Sequence, residues 1–325
     1  MNLLFAKLSK VVETIEPVDK ETALEILNID NVDFPMLLGF ANKLRVKTQG
    51  EQIRICTIMN AKSGACSQDC AFCSQSVYHN TVTDVYPMRD SETIAKIHES
   101  IPKDAYCFGV VTSGEGLYPD EIAVLVDTIA KNNSGVAWSA SLGIIPNGQL
   151  IKLKNAGMAR YHHNIETAKS FYQHICSTHS HDLRVDMAKR VKKAGLSLCC
   201  GGIVGVGESK TQRVELAFEL NEIGSDIIPL NFLMAIEGTR LKNMPPMKPL
   251  DILKTIAMFR FVNPKTDIKV AGGRVHLGDL QTMMFFAGAN SLITGGLLTT
   301  SNCKTEDDRR MLANLELDIY NNFKQ

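Results

Sequence analysis

Ala61-Lys-Ser-Gly-Ala-Cys-Ser-Gln-Asp-Cys-Ala-Phe-Cys-Ser-Gln-Ser76 places three cysteines, Cys66, Cys70 and Cys73, inside eight residues, with three and then two residues between them. Small and turn-prone neighbours (Ser63, Gly64, Ala65, Ser67, Asp69) let the backbone curl so that the three sulfurs converge. A tight all-sulfur set selects zinc, copper(I) or an iron–sulfur cluster. Structural zinc wants four protein ligands, usually as two separated pairs, and no second Cys or His pair follows at that spacing. Three thiolates on a cubane leave one iron open for chemistry.

Outward from this loop, Ile53-Arg-Ile-Cys-Thr-Ile58 alternates and is β-rich, which predicts a first strand running directly into the cysteines. Residues 1–50 read as helices: Ala23, Ile26 and Leu27, then Phe34, Leu37, Leu38 and Ala41, keep helical spacing. Downstream, strand-like and helix-like segments take turns. Further strands are expected at Ala105–Val111, Val136–Leu142, Arg160–Ile165, Ser197–Val204, Ile227–Leu233, Ile268–Ala271 and Ser291–Thr294. Helices are expected at Pro119–Lys131, His181–Ala194, Ser209–Ile223, Pro249–Phe261 and Asp279–Ala287, and Asn155-Ala-Gly157 and Lys193-Ala-Gly195 read as helix stops. Eight strands alternating with helices make an α/β protein, a (β/α)8 TIM-type barrel over 51–325 with a helical extension over 1–50, as one domain overall. The cysteine loop then lies on the active-site face, at the C-terminal ends of the strands.

Composition narrows the function classes. Lys plus Arg equals Asp plus Glu at 35 each, so no net field draws the chain to nucleic acid or an anionic membrane, and a small-molecule substrate fits better. Nine cysteines, odd in number and scattered, argue against a disulfide framework and for a reducing compartment. The N-terminal stretch lacks the apolar core of a signal peptide, and no apolar run approaches membrane-helix length. A cytoplasmic protein is expected.

The Cys-x-x-x-Cys-x-x-Cys set with Phe72 before its last cysteine resembles the cluster loop of radical S-adenosylmethionine (radical SAM) enzymes. The wider wording Ser63–Ser76 is similar to the biotin synthase family. The likeness runs from about Ile53 to about Thr300. It implies a [4Fe-4S] cluster on Cys66, Cys70 and Cys73 whose open iron chelates S-adenosylmethionine. Reductive cleavage would then release a 5′-deoxyadenosyl radical. It also implies sulfur insertion into dethiobiotin to give biotin, an electron donor such as flavodoxin or ferredoxin, and a homodimer.

By the same resemblance, Leu198-Cys-Cys-Gly-Gly-Ile-Val-Gly-Val-Gly-Glu208 packs against the cofactor's adenine, with Ile203 and Met234 in the cofactor-binding set. Its glycines allow close approach of main chain to a ligand; alone, they would be a weak nucleotide hint. In Arg160-Tyr-His-His-Asn-Ile-Glu-Thr167, Asn164 would bond substrate or cofactor and Glu166 the ribose hydroxyls, although the family often carries Asp there. Arg184 matches the arginine that pairs with the cofactor's carboxylate, a task suited to guanidinium. Asn231 matches a substrate-facing asparagine. Most of the local excess of histidines (His162, His163, His174, His179, His181) reads as surface or structural.

Members of the family hold an auxiliary [2Fe-2S] cluster inside the barrel as sulfur donor, on three cysteines and an arginine. Cys107, Cys199 and Arg274 match three of these positions, but Ser139 stands where a cysteine is expected. A hydroxyl is a harder and far less acidic ligand than a thiol. Cys200 neighbours Cys199, yet successive strand residues face opposite ways; Cys176 occupies a loop or helix end within reach of the same face. Three outcomes stay open: a serine-ligated [2Fe-2S] cluster, a different auxiliary cluster, or none. Two other functions compete. One is a sibling radical enzyme without sulfur insertion, such as a hydrogenase-cofactor maturase or a methylornithine synthase. The other is an iron–sulfur carrier or redox sensor.

Overall fold

The computed structural model describes residues 3–132, 134–296, 298 and 303–320. The C-terminal wording from Leu297 to Thr300 therefore lies outside the described residues except for Leu298. Three helices come first: α1 (Leu3–Thr14), α2 (Lys20–Asn28) and α3 (Phe34–Gln49). Strand β1 (Arg54–Lys62) leads through the cysteine loop to α4 (Ser91–Ser100). Then follow β2 (Cys107–Thr112), α5 (Pro119–Lys131), β3 (Ala137–Ser141), α6 (Asn147–Asn155), β4 (Arg160–His162) and α7 (His181–Lys193). The second half comprises β5 (Ser197–Cys199), β6 (Gly202–Val204), α8 (Lys210–Ile223), β7 (Ile227–Phe232), α9 (Pro249–Val262) and β8 (Asp267–Val270). It ends with α10 (Met283–Phe286), β9 (Ser291–Ile293) and α11 (Thr305–Asn314).

Every ladder is parallel, β9 pairs with β1, and β7 pairs with both β5 and β6. The sheet closes on itself with β5 and β6 as two halves of one stave, which gives the expected (β/α)8 barrel. Strand parity then sorts the side chains. Ile55, Phe108, Val110, Trp138, Tyr161, Leu198, Ile228, Leu230, Ile268 and Val270 join the main hydrophobic core between sheet and helices. The alternate row, Cys56, Ile58, Cys107, Gly109, Ser139, Ser141, His162, Cys199, Pro229, Asn231 and Lys269, lines a cavity of ≈ 350 Å³ inside the barrel.

Local chemistry sets the helix ends. Ser209 and Gln212 form a capping box at α8, and Asp19 caps α2 through the Thr22 amide at 2.7 Å. Helix α9 is buried throughout Ile252–Val262, because α2 and α3 cover the side that the barrel does not. Two expectations change. The stave Ser197–Val204 breaks at Cys200-Gly201, where a Cβ on Gly201 would lie 2.0 Å from the Pro229 carbonyl oxygen. The helix expected over Asp279–Ala287 shortens to α10 (Met283–Phe286), preceded by a 3₁₀ segment, Arg274–Leu280, that Gly278 (φ 51) kinks.

Candidate active site

At the end of β1 the chain turns through Gly64 (φ 71) and Ala65 (φ 50) into the cysteine loop. The Cys66 amide donates to the Gln75 carbonyl (2.9 Å), the Cys73 amide to the Cys70 carbonyl (3.0 Å), and the Ser76 hydroxyl to the Gln68 carbonyl (2.6 Å). The Gln75 side chain accepts from the Gly64 amide at 3.0 Å. Asp69 fastens the loop to residues 177–178: its carboxylate takes the Ser177 amide (2.9 Å), the Ser177 hydroxyl (2.6 Å) and the Thr178 amide (3.2 Å). Burial opposes its charge, but these bonds win and hold its carboxyl well below the usual range. Arg240 donates to the Asp69 and Ile175 carbonyls, tying the same two loops.

Cys70 and Cys73 pack among Ala71, Phe72, Tyr172, Ile175, Val206 and Leu233. The hydrogen bond Cys70 donates to Cys176, together with burial, pushes its thiol far up, and burial raises that of Cys73 to about 11. Neutral thiols in apolar surroundings become thiolates when a cation arrives to hold the charge. That donor set fits an iron–sulfur cluster. Cys176 lies on this side of the barrel, its Sγ 3.9 Å from that of Cys70 and close to His179, so it is no neighbour of Cys199.

Beside the loop a second cavity, of ≈ 160 Å³, is lined by Cys66, Cys70, Cys73, Asn164, Glu166, His179 and Arg184. Arg184 Nη1 lies 3.3 Å from Glu166 Oε1 and donates to the Asn164 carbonyl (3.0 Å), while Nε donates to the Tyr172 hydroxyl (2.9 Å). Burial most strongly opposes its charge, but Glu166 and Tyr172 raise the guanidinium above its ordinary value, so it stays cationic. Glu166 has φ 69, and its carbonyl accepts from the Ile203 amide (2.7 Å). A Cβ on Gly202 would lie 2.3 Å from that carbonyl oxygen. Gly201 and Gly202 thus allow close approach to neighbouring main chain, at Pro229 and Glu166.

Asn164 accepts from the Gly201 amide (3.1 Å), and Asn231 bridges the Gly202 carbonyl (3.1 Å) and the Gly272 amide (3.0 Å). Each amide stitches the barrel rim and keeps further hydrogen-bonding capacity. The larger cavity is also lined by Phe72, Cys73, Asn164, Glu166, Ile203, Asn231 and Met234, so it adjoins the smaller one and brings the expected cofactor residues together.

Deeper in the barrel, Cys107, Cys199 and Ser139 line the same cavity. Cys200 does not; it is buried in the outer core, as parity requires. Arg274 is not among the lining residues either. It is fully buried, with Nη1 and Nη2 donating to the two carboxylate oxygens of Asp308 at 2.6 and 2.8 Å. Position 274 lies beyond the end of β8 at Val270, past Gly273 (φ 74) and at the start of the 3₁₀ segment, so the strand's alternation does not extend to it.

Two residues that the motifs did not point to occupy the space beside the thiols. Cys56 faces Cys107 in register, and Cys107 donates to it with the sulfurs 2.8 Å apart. Burial most strongly opposes ionisation of Cys56, but the bond from Cys107 and the cations Lys269 and Arg160 hold it low, at about 5, while Cys107 is pushed up. Lys269 is kept charged by the same thiols against the cost of burial. His162 Nδ1 lies 3.3 Å from Cys199 Sγ, and burial lowers its pKa to about 4, so the ring is neutral. The signal for Cys56 and Lys269 was available as parity: both fall on the inward rows of their strands.

Residues 61–220 match the radical SAM superfamily, and residues 229–318 the Biotin and Thiamin Synthesis associated domain. Biotin synthase of Clostridium perfringens is 44% identical over 304 residues, 93% of this chain and 95% of that protein. Biotin synthase of Pelotomaculum thermopropionicum is 40% identical over 320 residues, 97% of this chain and 100% of that protein. Among solved structures, a methylornithine synthase superposes with TM-score 0.82 at 18% identity, covering 96% of each chain. An [FeFe]-hydrogenase maturase superposes with TM-score 0.80 at 17% identity, covering 95% of this chain and 73% of its own. At such identities these last two likenesses speak for the fold alone. A radical SAM barrel with the associated domain, alike over nearly its whole length to these synthases, belongs to the biotin synthase family.

Proposed function

We propose that this chain converts dethiobiotin to biotin by radical sulfur insertion, with Cys66, Cys70 and Cys73 holding a [4Fe-4S] cluster and Cys107 and Cys199 contributing to an auxiliary iron–sulfur cluster. The observation that carries this reading is the cavity itself, lined by Cys73, Asn164 and Glu166 toward the cysteine loop and by Cys107 and Cys199 deeper in the barrel. Such a space suits a substrate whose carbons must meet both a radical source and a sulfur source. When bound, the clusters and S-adenosylmethionine supply hydrogen abstraction from unactivated carbon and the sulfur.

The chain's own part is positioning. Arg184, cationic and held by Glu166 and Tyr172, would hold the cofactor's carboxylate, and Glu166 would take the ribose hydroxyls. Ile203 and Met234 give the adenine an apolar wall, and Asn164 and Asn231 hold the rim at which substrate sits. Enclosure in the barrel keeps water away from the reacting carbons. No helix among the described residues is long and apolar enough to cross a membrane. A cytoplasmic homodimer served by flavodoxin or ferredoxin completes the proposal.

The deciding experiment is an anaerobic incubation of iron- and sulfide-reconstituted protein with S-adenosylmethionine, a reductant and dethiobiotin, read by mass spectrometry. Biotin with 5′-deoxyadenosine is expected. The nucleoside without biotin would move the assignment to a sibling radical enzyme, and neither product to a carrier or sensor.

A further inference from the structure

The auxiliary site lacks a cysteine at position 139, yet a third thiol stands in the same cavity. Cys56 is carried by β1 and Cys107 by β2, and the register Cys56↔Cys107 sets them side by side with sulfurs 2.8 Å apart. That is far beyond the 2.03–2.05 Å of a disulfide bond, and both are free thiols. Cys199 faces them from β5, on the other side of the closed sheet. Ser139 lines this cavity as well, but its hydroxyl is a harder and far less acidic donor than the thiol of Cys56. The cation lining this cavity with the thiols is Lys269, while both terminal nitrogens of Arg274 are engaged by Asp308.

Resting on the sulfur-insertion reading above, we propose that Cys56, Cys107 and Cys199 are the thiolate ligands of this chain's auxiliary cluster, with Lys269 as the buried cation beside it and neither Ser139 nor Arg274 bound to iron. Three soft donors from three strands, desolvated and faced by Lys269 and Arg160, suit an iron–sulfur cluster. A hydroxyl, which gives up its proton far less readily than a thiol, is the poorer iron ligand of the two. The serine at position 139 is then no defect, because the missing sulfur comes from the neighbouring stave.

The test isolates the auxiliary site by using the full chain with Cys66→Ala, Cys70→Ala and Cys73→Ala, reconstituted anaerobically with iron and sulfide. Iron and acid-labile sulfide per chain, with the sulfur-to-iron absorption, are the readouts. The triple variant should retain a cluster, and Ser139→Ala added to it should leave the iron content unchanged. Cys56→Ala should lower retention by about tenfold or more, the scale of losing support at a metal site. Cys56→Ser, a one-atom change that guards against misfolding, should shift the absorption. Full iron retention in Cys56→Ala, an unshifted spectrum in Cys56→Ser, or loss caused by Ser139→Ala would overturn this ligand set while leaving the sulfur-insertion reading in place. A triple variant that binds no iron would remove the auxiliary cluster, and with it both readings.

Discussion

The Arg274–Asp308 pair offers a sharp test of how the barrel distributes its charges. Arg274 is wholly buried and Asp308 is 2% exposed, with two N–H···O bonds of 2.6 and 2.8 Å between them and a third, from the Thr294 hydroxyl to Asp308, of 2.7 Å. In Asp308→Ala the guanidinium keeps, among the described residues, only the hydrogen bond to the Ile293 carbonyl at 3.5 Å. An unpaired charge left in the interior costs about 3–5 kcal/mol, against a total stability of roughly 5–15 kcal/mol. Removing both charges, in Arg274→Met with Asp308→Leu, should recover most of that loss, because two apolar side chains of similar volume replace the pair. Equilibrium urea unfolding of the reduced, cluster-free protein measures the wild-type chain and both variants. A cost below about 1 kcal/mol for Asp308→Ala would mean that Arg274 has another anionic partner, of which the thiols are the nearest candidates in chemistry. The double variant also probes the iron site: it should keep its auxiliary iron, and loss of that iron from a folded protein would restore Arg274 as a ligand.

Gly202→Ala drives a methyl into the Glu166 carbonyl, 2.3 Å away, and should cost about 1–3 kcal/mol and weaken S-adenosylmethionine binding by equilibrium dialysis. Gly148→Ala, in α6 with nothing within 4 Å, should instead stabilise by about 0.5–1 kcal/mol; equal effects at the two sites would refute the packing argument. Glu166→Gln removes the ion pair that orients Arg184 and should raise KM for S-adenosylmethionine more than it lowers kcat, and an unchanged KM would deny Glu166 its role. The cluster-free protein should lose stability in acid through His162. Its folded pKa, about 4, lies below the ordinary 6.5, so unfolding takes up a proton: the contribution is intact above pH 6.5 and is lost as pH falls toward 4. By pH 5 this amounts to about 2 kcal/mol. His162→Asn should flatten the urea-midpoint profile between pH 7.5 and pH 5, and parallel profiles would refute the assignment.

Much of the fold is legible because its signals are local. The capping box Ser209/Gln212 and the proline at the head of α5 mark helix starts, and apolar rows mark the strands. The cysteine loop is legible for the same reason, since its three ligands lie within one turn-rich segment. The remainder depends on contacts between distant segments. Whether Ser197–Val204 runs unbroken depends on how closely Gly201 meets Pro229, a neighbour 28 positions away in the chain. The thiol pair inside the barrel is a matter of register: Cys56 and Cys107 become partners only when β1 pairs with β2. The pairing of Arg274 with Asp308, 34 positions further along the chain, is a tertiary contact of the same kind.

Beneath the thiols the barrel floor is unusually charged for an interior. Arg54 pairs with Asp267 at 3.1 Å and stacks over Tyr106 and Tyr320, and Arg160 lies over the Tyr106 ring at 4.0 Å. Lys269 stands among Cys56, Cys107 and Cys199. A buried cation is costly unless it is paired, and Arg54 and Arg274 form ion pairs with Asp267 and Asp308. Lys269 is set among sulfur instead, in the cavity with Cys56, Cys107 and Cys199, and these thiols favour its charge against the cost of burial. The floor thus holds two kinds of cation, those facing carboxylates, Arg54 and Arg274, and one set among thiols, Lys269.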